Sequence, residues 1–176
     1  MGLAENKYSE HYTVAQWEKW NDQWELIGGM PYCMSPAPTI KHQQINTKIL
    51  IQLNNKLVNC AKCEAIMPVD WQIDDETVVQ PDISVICKEV TTSRLFFAPS
   101  IIFEILSPST ARKDKTEKYE LYQTQGVKYY VMVNPDTKEI DLFLLVNGVY
   151  TKQDFTDNYT FTIDECVVNI DFTTIW

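Results

Sequence analysis

The sequence predicts one α/β (α+β) domain over residues 1–176. Its core follows the order αβββαβ, a mixed central sheet flanked by helices, with an N-terminal helix and hairpin at 1–34 and a C-terminal hairpin. Three observations predict this. Ile45, Ile49, Leu53 and Leu57 recur every four residues, the mark of a helix buried along one face. Three apolar runs follow without a helical pattern between them, near 63–73, 78–87 and 100–106, and read as strands. A second helical pattern then separates the third run from "KYYVMVN" near 128–134, and a strand reached through a helix pairs in parallel by a right-handed crossover.

The elements follow in order. "TVAQWEKWNDQWEL" spaces Val14, Trp17, Trp20 and Trp24 at near-helical intervals, which predicts an amphipathic helix over 13–23 with an indole stripe. "WELIGGMPYCMS" reads as a hairpin turning at Gly28-Gly29. The long helix starts at Ser35 or just after it. The polar turn "DDET" separates the first two core strands. Asp114 with Glu117 three residues later makes a capping box for "KTEKYELYQTQ", which closes at Gly126. "EIDLFLLVNGVYTKQ" is a hairpin turning at Asn147-Gly148, and the C-terminal "YTFTIDECVVNIDFTTIW" reads as one more strand and a tail.

With 45% hydrophobic residues among 176, the chain has enough core for one domain without staples. No apolar run approaches the roughly 20 residues that span a bilayer, and the N-terminus lacks the pattern of a signal peptide. Asn6 stands where a myristoylation signal prefers Ser or Thr. The expectation is a cytoplasmic protein with no membrane partner. Five cysteines, an odd number, favour reduced thiols over a disulfide framework. Cys60-x-x-Cys63 is half of a zinc site with no second pair in the sequence to complete it. Placed where a helix ends and a strand begins, it also lacks the strand-then-helix setting of a redox pair. A net charge of -9 excludes a general electrostatic grip on nucleic acid, so any such role needs a local patch, for which Arg112, Lys113, Lys115 and Lys118 are the candidates.

Two acids stand out. Glu104 sits among Ile101, Ile102, Phe103, Ile105 and Leu106, and Asp82 is the one charge in "VVQPDISVIC". An unpaired carboxylate buried in a strand costs several kcal/mol, on the order of that for any desolvated ion. Two such acids on consecutive strands become favourable when a divalent cation lies between them, because Mg²⁺ takes carboxylate oxygens. Lys118 shares a helical stripe with Asp114, Leu121, Tyr122 and Gln125. Leu121 and Tyr122 must face the sheet, so Lys118 is aimed that way too, and a lysine near two carboxylates can orient or deprotonate an attacking water.

"QPDISVI", "IIFEILSPST" and "DKTEKYELYQTQGVKYYVMVNPDTKEIDLFLLVNGVY", with "WELIGGMPYCMSPAPTIKHQQI" upstream, resemble the Uma-two family of restriction-type endonucleases in the PD-(D/E)XK nuclease superfamily. The resemblance spans about residues 24–150. It implies a restriction-endonuclease-like fold and a Mg²⁺- or Mn²⁺-dependent endonuclease acting on DNA. It also implies roles: Asp82 and Glu104 as metal-ligand acids, the Ile105 carbonyl as a third metal ligand, and Lys118 as the catalytic lysine. The superfamily's commoner pattern puts lysine two residues after the second acid; that slot here is Leu106, and the lysine has moved to the helix. Glu25, His42, Ser107, Asp114 and Tyr122 match recurring family positions and are expected beside the site. The competing expectation is a non-catalytic nucleic-acid-binding or regulatory module that keeps the fold. An acidic nuclease approaching an anionic polymer is expected either to act as a homodimer that concentrates the 112–118 cluster into one groove, with the Trp17, Trp20 and Trp24 stripe as its contact, or to bind weakly and with strong salt dependence.

Overall fold

The structure is a computed structural model and describes residues 10–34 and 37–176. Helix α1 is a single turn, Val14–Trp17, opened by a Thr13/Gln16 capping box. This is shorter than the helix expected over 13–23. The chain leaves the helix so that Trp24 can enter strand β1 (Trp24–Ile27), which turns at Gly28-Gly29 into β2 (Met30–Cys33). Both glycines have positive φ, and a Cβ on Gly29 would lie 2.4 Å from the His11 ring, so that turn requires glycine. The indoles pack on their own chain. Trp17 and Trp20 cover Val14, Leu26 and Val78, and the Trp17 Nε1–H donates to the Trp24 carbonyl at 2.7 Å. The predicted stripe is therefore a small core, not an unpartnered helix face.

Helix α2 spans Ile40–Leu57, capped by the Thr39 hydroxyl, which accepts from the His42 N–H. The expected start at Ser35 lies outside the described residues. The first two predicted core strands are each broken in two, giving β3 (Glu64–Ile66), β4 (Trp71–Asp74), β5 (Thr77–Val79) and β6 (Ile83–Ile86). Pro68 and Pro81 fall at the breaks, where a residue without a backbone donor cannot continue a ladder. β4 and β5 join β1 and β2 in a four-stranded sheet of order β2-β1-β5-β4. β3 and β6 join the main sheet, of order β10-β9-β8-β7-β6-β3, built with β7 (Ile101–Ile105), β8 (Tyr129–Asn134), β9 (Glu139–Val146) and β10 (Val149–Lys152). β7 and β8 pair in parallel as the crossover requires, and every other pair is antiparallel, so the sheet is mixed. The β9–β10 hairpin turns at Asn147-Gly148, both at positive φ. The C-terminal segment is a second hairpin, β11 (Asn158–Ile163) and β12 (Cys166–Asp171), where one strand was expected.

Two helices, α3 (Ala111–Lys115) and α4 (Glu117–Thr124), replace the one expected after β7. Asp114 lies buried inside α3, so it caps nothing and the predicted capping box is absent. Gly126 follows α4 at positive φ, as expected.

Strand alternation divides the main sheet. Ile101, Phe103 and Ile105 face α2 and the β11–β12 hairpin in a core that includes Ile49, Leu53, Phe161 and Val168. Ile102 and Leu106 face the opposite core with Trp71, Tyr122 and Tyr130. Glu104 shares that second face, the one that α4 covers through Tyr122. Each fully buried side chain of this size stabilises by about 1.5–3 kcal/mol.

The cysteines differ from expectation. Cys60 is bonded to Cys166 and Cys63 to Cys87, while Cys33 is exposed and unpaired. Counting gives an odd total, but folding brings residues up to 106 positions apart into contact, and contact is what a disulfide requires. Among the described residues no helix is long and apolar enough to cross a membrane.

Candidate functional site

The Pro81 break lets the chain return from the small sheet to the main one with Asp82 at the mouth of β6. Ile83 pairs with Phe103, so Asp82 lies across from Glu104. The two acids lock through the backbone. The Ile105 N–H donates to Asp82 Oδ2 at 2.8 Å and the Asp82 N–H donates to Glu104 Oε2 at 3.3 Å. His42, one turn into α2, approaches Asp82 Oδ2 with Nε2 at 3.2 Å.

From the helix side Lys118 enters as predicted. Its ammonium is 2.9 Å from Glu104 Oε1, 2.7 Å from Glu25 Oε1 and 3.8 Å from Asp114 Oδ1. The Tyr122 hydroxyl donates to Glu104 Oε1 at 2.9 Å while its ring stacks on Trp71. Glu25 comes from β1 in the other sheet. It accepts the Gln80 N–H at 2.8 Å and pairs with Lys113. Together these groups line a cleft of about 290 Å³ between the two sheets and α3.

All three predicted catalytic residues are thus in one place, and so are Glu25, His42, Asp114 and Tyr122. Ser107 lines the same cleft but bonds Ser109 and Thr110, shaping the loop into α3 without touching the acids. Lys113 departs from the local basic patch expected of residues 112–118. It is buried, as is Lys118, so of the four basic residues from 112 to 118 only Arg112 and Lys115 remain exposed. The signal for Lys113 was weak, because the irregular break between α3 and α4 shifts the helical phase that would have turned it inward.

Burial sets the electrostatics. Glu104 is pushed up to about 8, first by desolvation and then, against the Lys118 charge, by its neighbours Asp114, Asp82 and Glu25. Desolvation likewise lifts the Asp114 carboxyl, against Lys118. Glu25 moves the other way: the charges of Lys118 and Lys113 and the Gln80 N–H together outweigh its burial. Desolvation alone would depress Lys118, but Glu104, Glu25 and Asp114 hold it well above the ordinary lysine value. His42 is raised too, because the Asp82 hydrogen bond and charge outweigh burial.

A divalent cation fits this donor set. Asp82, Glu104 and the Ile105 carbonyl supply hard oxygens, the type Mg²⁺ and Mn²⁺ take. Four carboxyl groups face two ammonium groups in the cleft, and the raised Glu104 and Asp114 carboxyls reflect that crowding together with burial. Asp114 Oδ1 is buried with no hydrogen-bond donor. No group of three or more His, Cys, Asp or Glu stands ready to hold an ion among the described residues, and Mg²⁺ sites commonly use one or two carboxylates completed by substrate phosphate and water.

The Uma2 family model, described as "Putative restriction endonuclease", matches residues 10–174. "Uncharacterized protein slr1290" from Synechocystis sp. is 28% identical over 135 residues, covering 73% of this chain and 70% of that protein. A crystal structure from Anabaena variabilis, described as "a putative nuclease belonging to DUF820", superposes with a TM-score of 0.76 at 18% identity. It covers 93% of this chain and 97% of that one, and the likeness establishes the fold.

Proposed function

Since the chain belongs to the Uma2 family, we propose that it is a nuclease that hydrolyses DNA phosphodiester bonds at this cleft with Mg²⁺ or Mn²⁺ bound. The observation that carries the proposal is the Lys118 ammonium held between Glu25 and Glu104 beside Asp82. Asp82, Glu104 and the Ile105 carbonyl would hold the ion, which supplies Lewis-acid stabilisation of the phosphoryl oxygens when bound.

The chain's own residues do the rest. Glu25 and Glu104 fix the Lys118 amine so that no reorganisation is needed when negative charge develops on the phosphate, and Lys118 orients the attacking water. Tyr122 holds the Glu104 carboxylate in one rotamer through its hydroxyl. Lys113 keeps Glu25 ionised and hence able to hold Lys118. His42 orients Asp82. A second copy of the chain would bring a second Arg112 and Lys115 to a strongly acidic protein, and sedimentation at micromolar concentration reads that directly.

Cleavage of supercoiled plasmid with Mn²⁺ tests the reading. Wild type nicks the plasmid and Glu104→Ala does not; equal cleavage by the two sinks the proposal. One observation favours a non-catalytic module instead: Lys118 already directs two of its three N–H donors to Glu25 and Glu104. That reading predicts DNA binding that survives Lys118→Ala and no cleavage with any metal.

A further inference from the structure

Outside the acidic cleft, three aromatic rings stay half-buried around one hollow. Tyr12, Trp20 and Trp24 line a pocket of about 420 Å³ together with Pro31. Tyr12 and Trp20 meet at 87° with ring centroids 5.0 Å apart, and Trp20 and Trp24 at 74° and 5.8 Å. Neighbouring rings set nearly at right angles form corners, so the hollow has aromatic surface on more than one side. The backbone fixes this arrangement. The Tyr12 N–H donates to the Gly29 carbonyl at 2.9 Å, the Trp20 N–H to the Trp17 carbonyl at 3.0 Å, and the Trp24 carbonyl accepts the Trp17 Nε1–H. Two carboxylates, Glu10 and Asp22, stand at the pocket, and the Tyr12 hydroxyl donates to Glu10 Oε2 at 2.8 Å. Trp24 and Glu25 are consecutive on β1 and point to opposite faces of the strand, so the pocket and the acidic cleft lie on opposite sides of the small sheet.

We propose that this pocket binds a small quaternary ammonium compound, its methylated nitrogen against the rings of Tyr12, Trp20 and Trp24 and its charge balanced by Glu10 and Asp22. A quaternary ammonium is drawn electrostatically to aromatic faces. It carries no N–H, so it needs none of the hydrogen-bond acceptors that aromatic walls lack. A primary ammonium is compact and strongly hydrated, and its three donors would be left unpaired against the rings. Charge points the same way. Two carboxylates stand against one ammonium, the exposed Lys19, in a chain of net charge -9, which favours a cation and disfavours a nucleic-acid base tethered to phosphates. The volume is that of a small-molecule site.

The test titrates the full chain with tetramethylammonium chloride and with choline chloride at constant ionic strength, read by calorimetry and tryptophan fluorescence. Both are expected to bind saturably. Choline should bind about tenfold more tightly than ethanolamine, its primary-ammonium counterpart, and than 3,3-dimethylbutan-1-ol, its uncharged isostere, as for a partly desolvated cation on aromatic faces. Trp20→Ala should abolish binding. Asp22 and Lys19 are exposed, so their variants keep the test decisive if Trp20→Ala fails to fold: Asp22→Lys should weaken choline binding about tenfold and Lys19→Gln should strengthen it. Absence of saturable binding overturns the site. So does choline binding no tighter than that of ethanolamine or the alcohol, choline binding undiminished in Asp22→Lys, or displacement of choline by an oligothymidylate. None of these outcomes bears on DNA cleavage.

Discussion

The two ends of β6 carry opposite kinds of chemistry on one short strand. At one end Asp82 meets Glu104, Glu25, Asp114 and two lysines in a buried charged cluster. At the other, Cys87 is bonded to Cys63 beside the Cys60–Cys166 pair. Between them Ile83, Val85 and Ile86 are apolar and buried, with Ser84 buried among them. The cysteine end is covalently closed and tightens the fold, so it contributes stability. The carboxylate end concentrates like charges in a place that folding alone would avoid, and it costs stability unless lysines or a cation offset it. A strand middle can be optimised for packing because it has neighbours on both sides; its ends open onto loops that can bring in groups from far along the chain.

The sharpest way to break the contrast is activity. Glu104→Ala and Lys118→Ala should each lower plasmid cleavage by at least about 100-fold, since each removes a group acting on developing charge. Both proteins should keep native circular dichroism. Loss of fold in step with loss of cleavage would erase the distinction between the two ends.

Glu25 probes the cost of the charged end. Glu25→Ala leaves Lys113 and Lys118 without their shared carboxylate and should destabilise by about 3–5 kcal/mol in urea unfolding. Cys166→Ser probes the other end. It removes the link that joins residues 106 apart and should cost about 2–5 kcal/mol. Cleavage per folded molecule should be unchanged in Cys166→Ser, because no cysteine touches the cleft.

The last effect is in pH. Glu104 is raised from 4.5 to about 8, so the metal-free fold is favoured while this group is protonated and loses stability as pH climbs from 4.5 through 8. Glu104→Gln cannot ionise. Its stability relative to wild type should shift in its own favour between pH 5 and pH 8 by a few kcal/mol, on the order expected for a shift of this size. Thermal unfolding with chelator reads the difference. Phe103→Ala, in the apolar middle of β7, should cost about 3–5 kcal/mol at both pH values. A stability difference between Glu104→Gln and wild type that does not change with pH would mean that Lys118 compensates Glu104 fully.

Much of the fold was legible because its signals are local. Gly28-Gly29 and Asn147-Gly148 specify their turns by permitting positive φ, and the four-residue spacing from Ile45 to Leu57 specifies α2 by burying one face. Asp82 and Glu104 were visible for the same reason: an acid inside an apolar run is a local anomaly. Lys118 was visible because Tyr122, four residues on, fixes its face.

What the tertiary structure alone decided involves partners far apart in the chain. The strands read over 63–73 and 78–87 break at Pro68 and Pro81, and each break sends the chain into a different sheet, which is what brings Glu25 to a site otherwise built from the main sheet and its helices. The burial of Lys113 and Asp114 depends on where α3 gives way to α4. The gathering of Cys60, Cys63, Cys87 and Cys166 depends on the hairpin β11–β12 closing over α2. Sequence by itself determined which residues would be costly to bury, because desolvation belongs to the side chain. Only the packing of distant segments determined which partners would meet that cost, because Coulomb attraction and sulfur bonding act over a few ångströms of space whatever the separation along the chain.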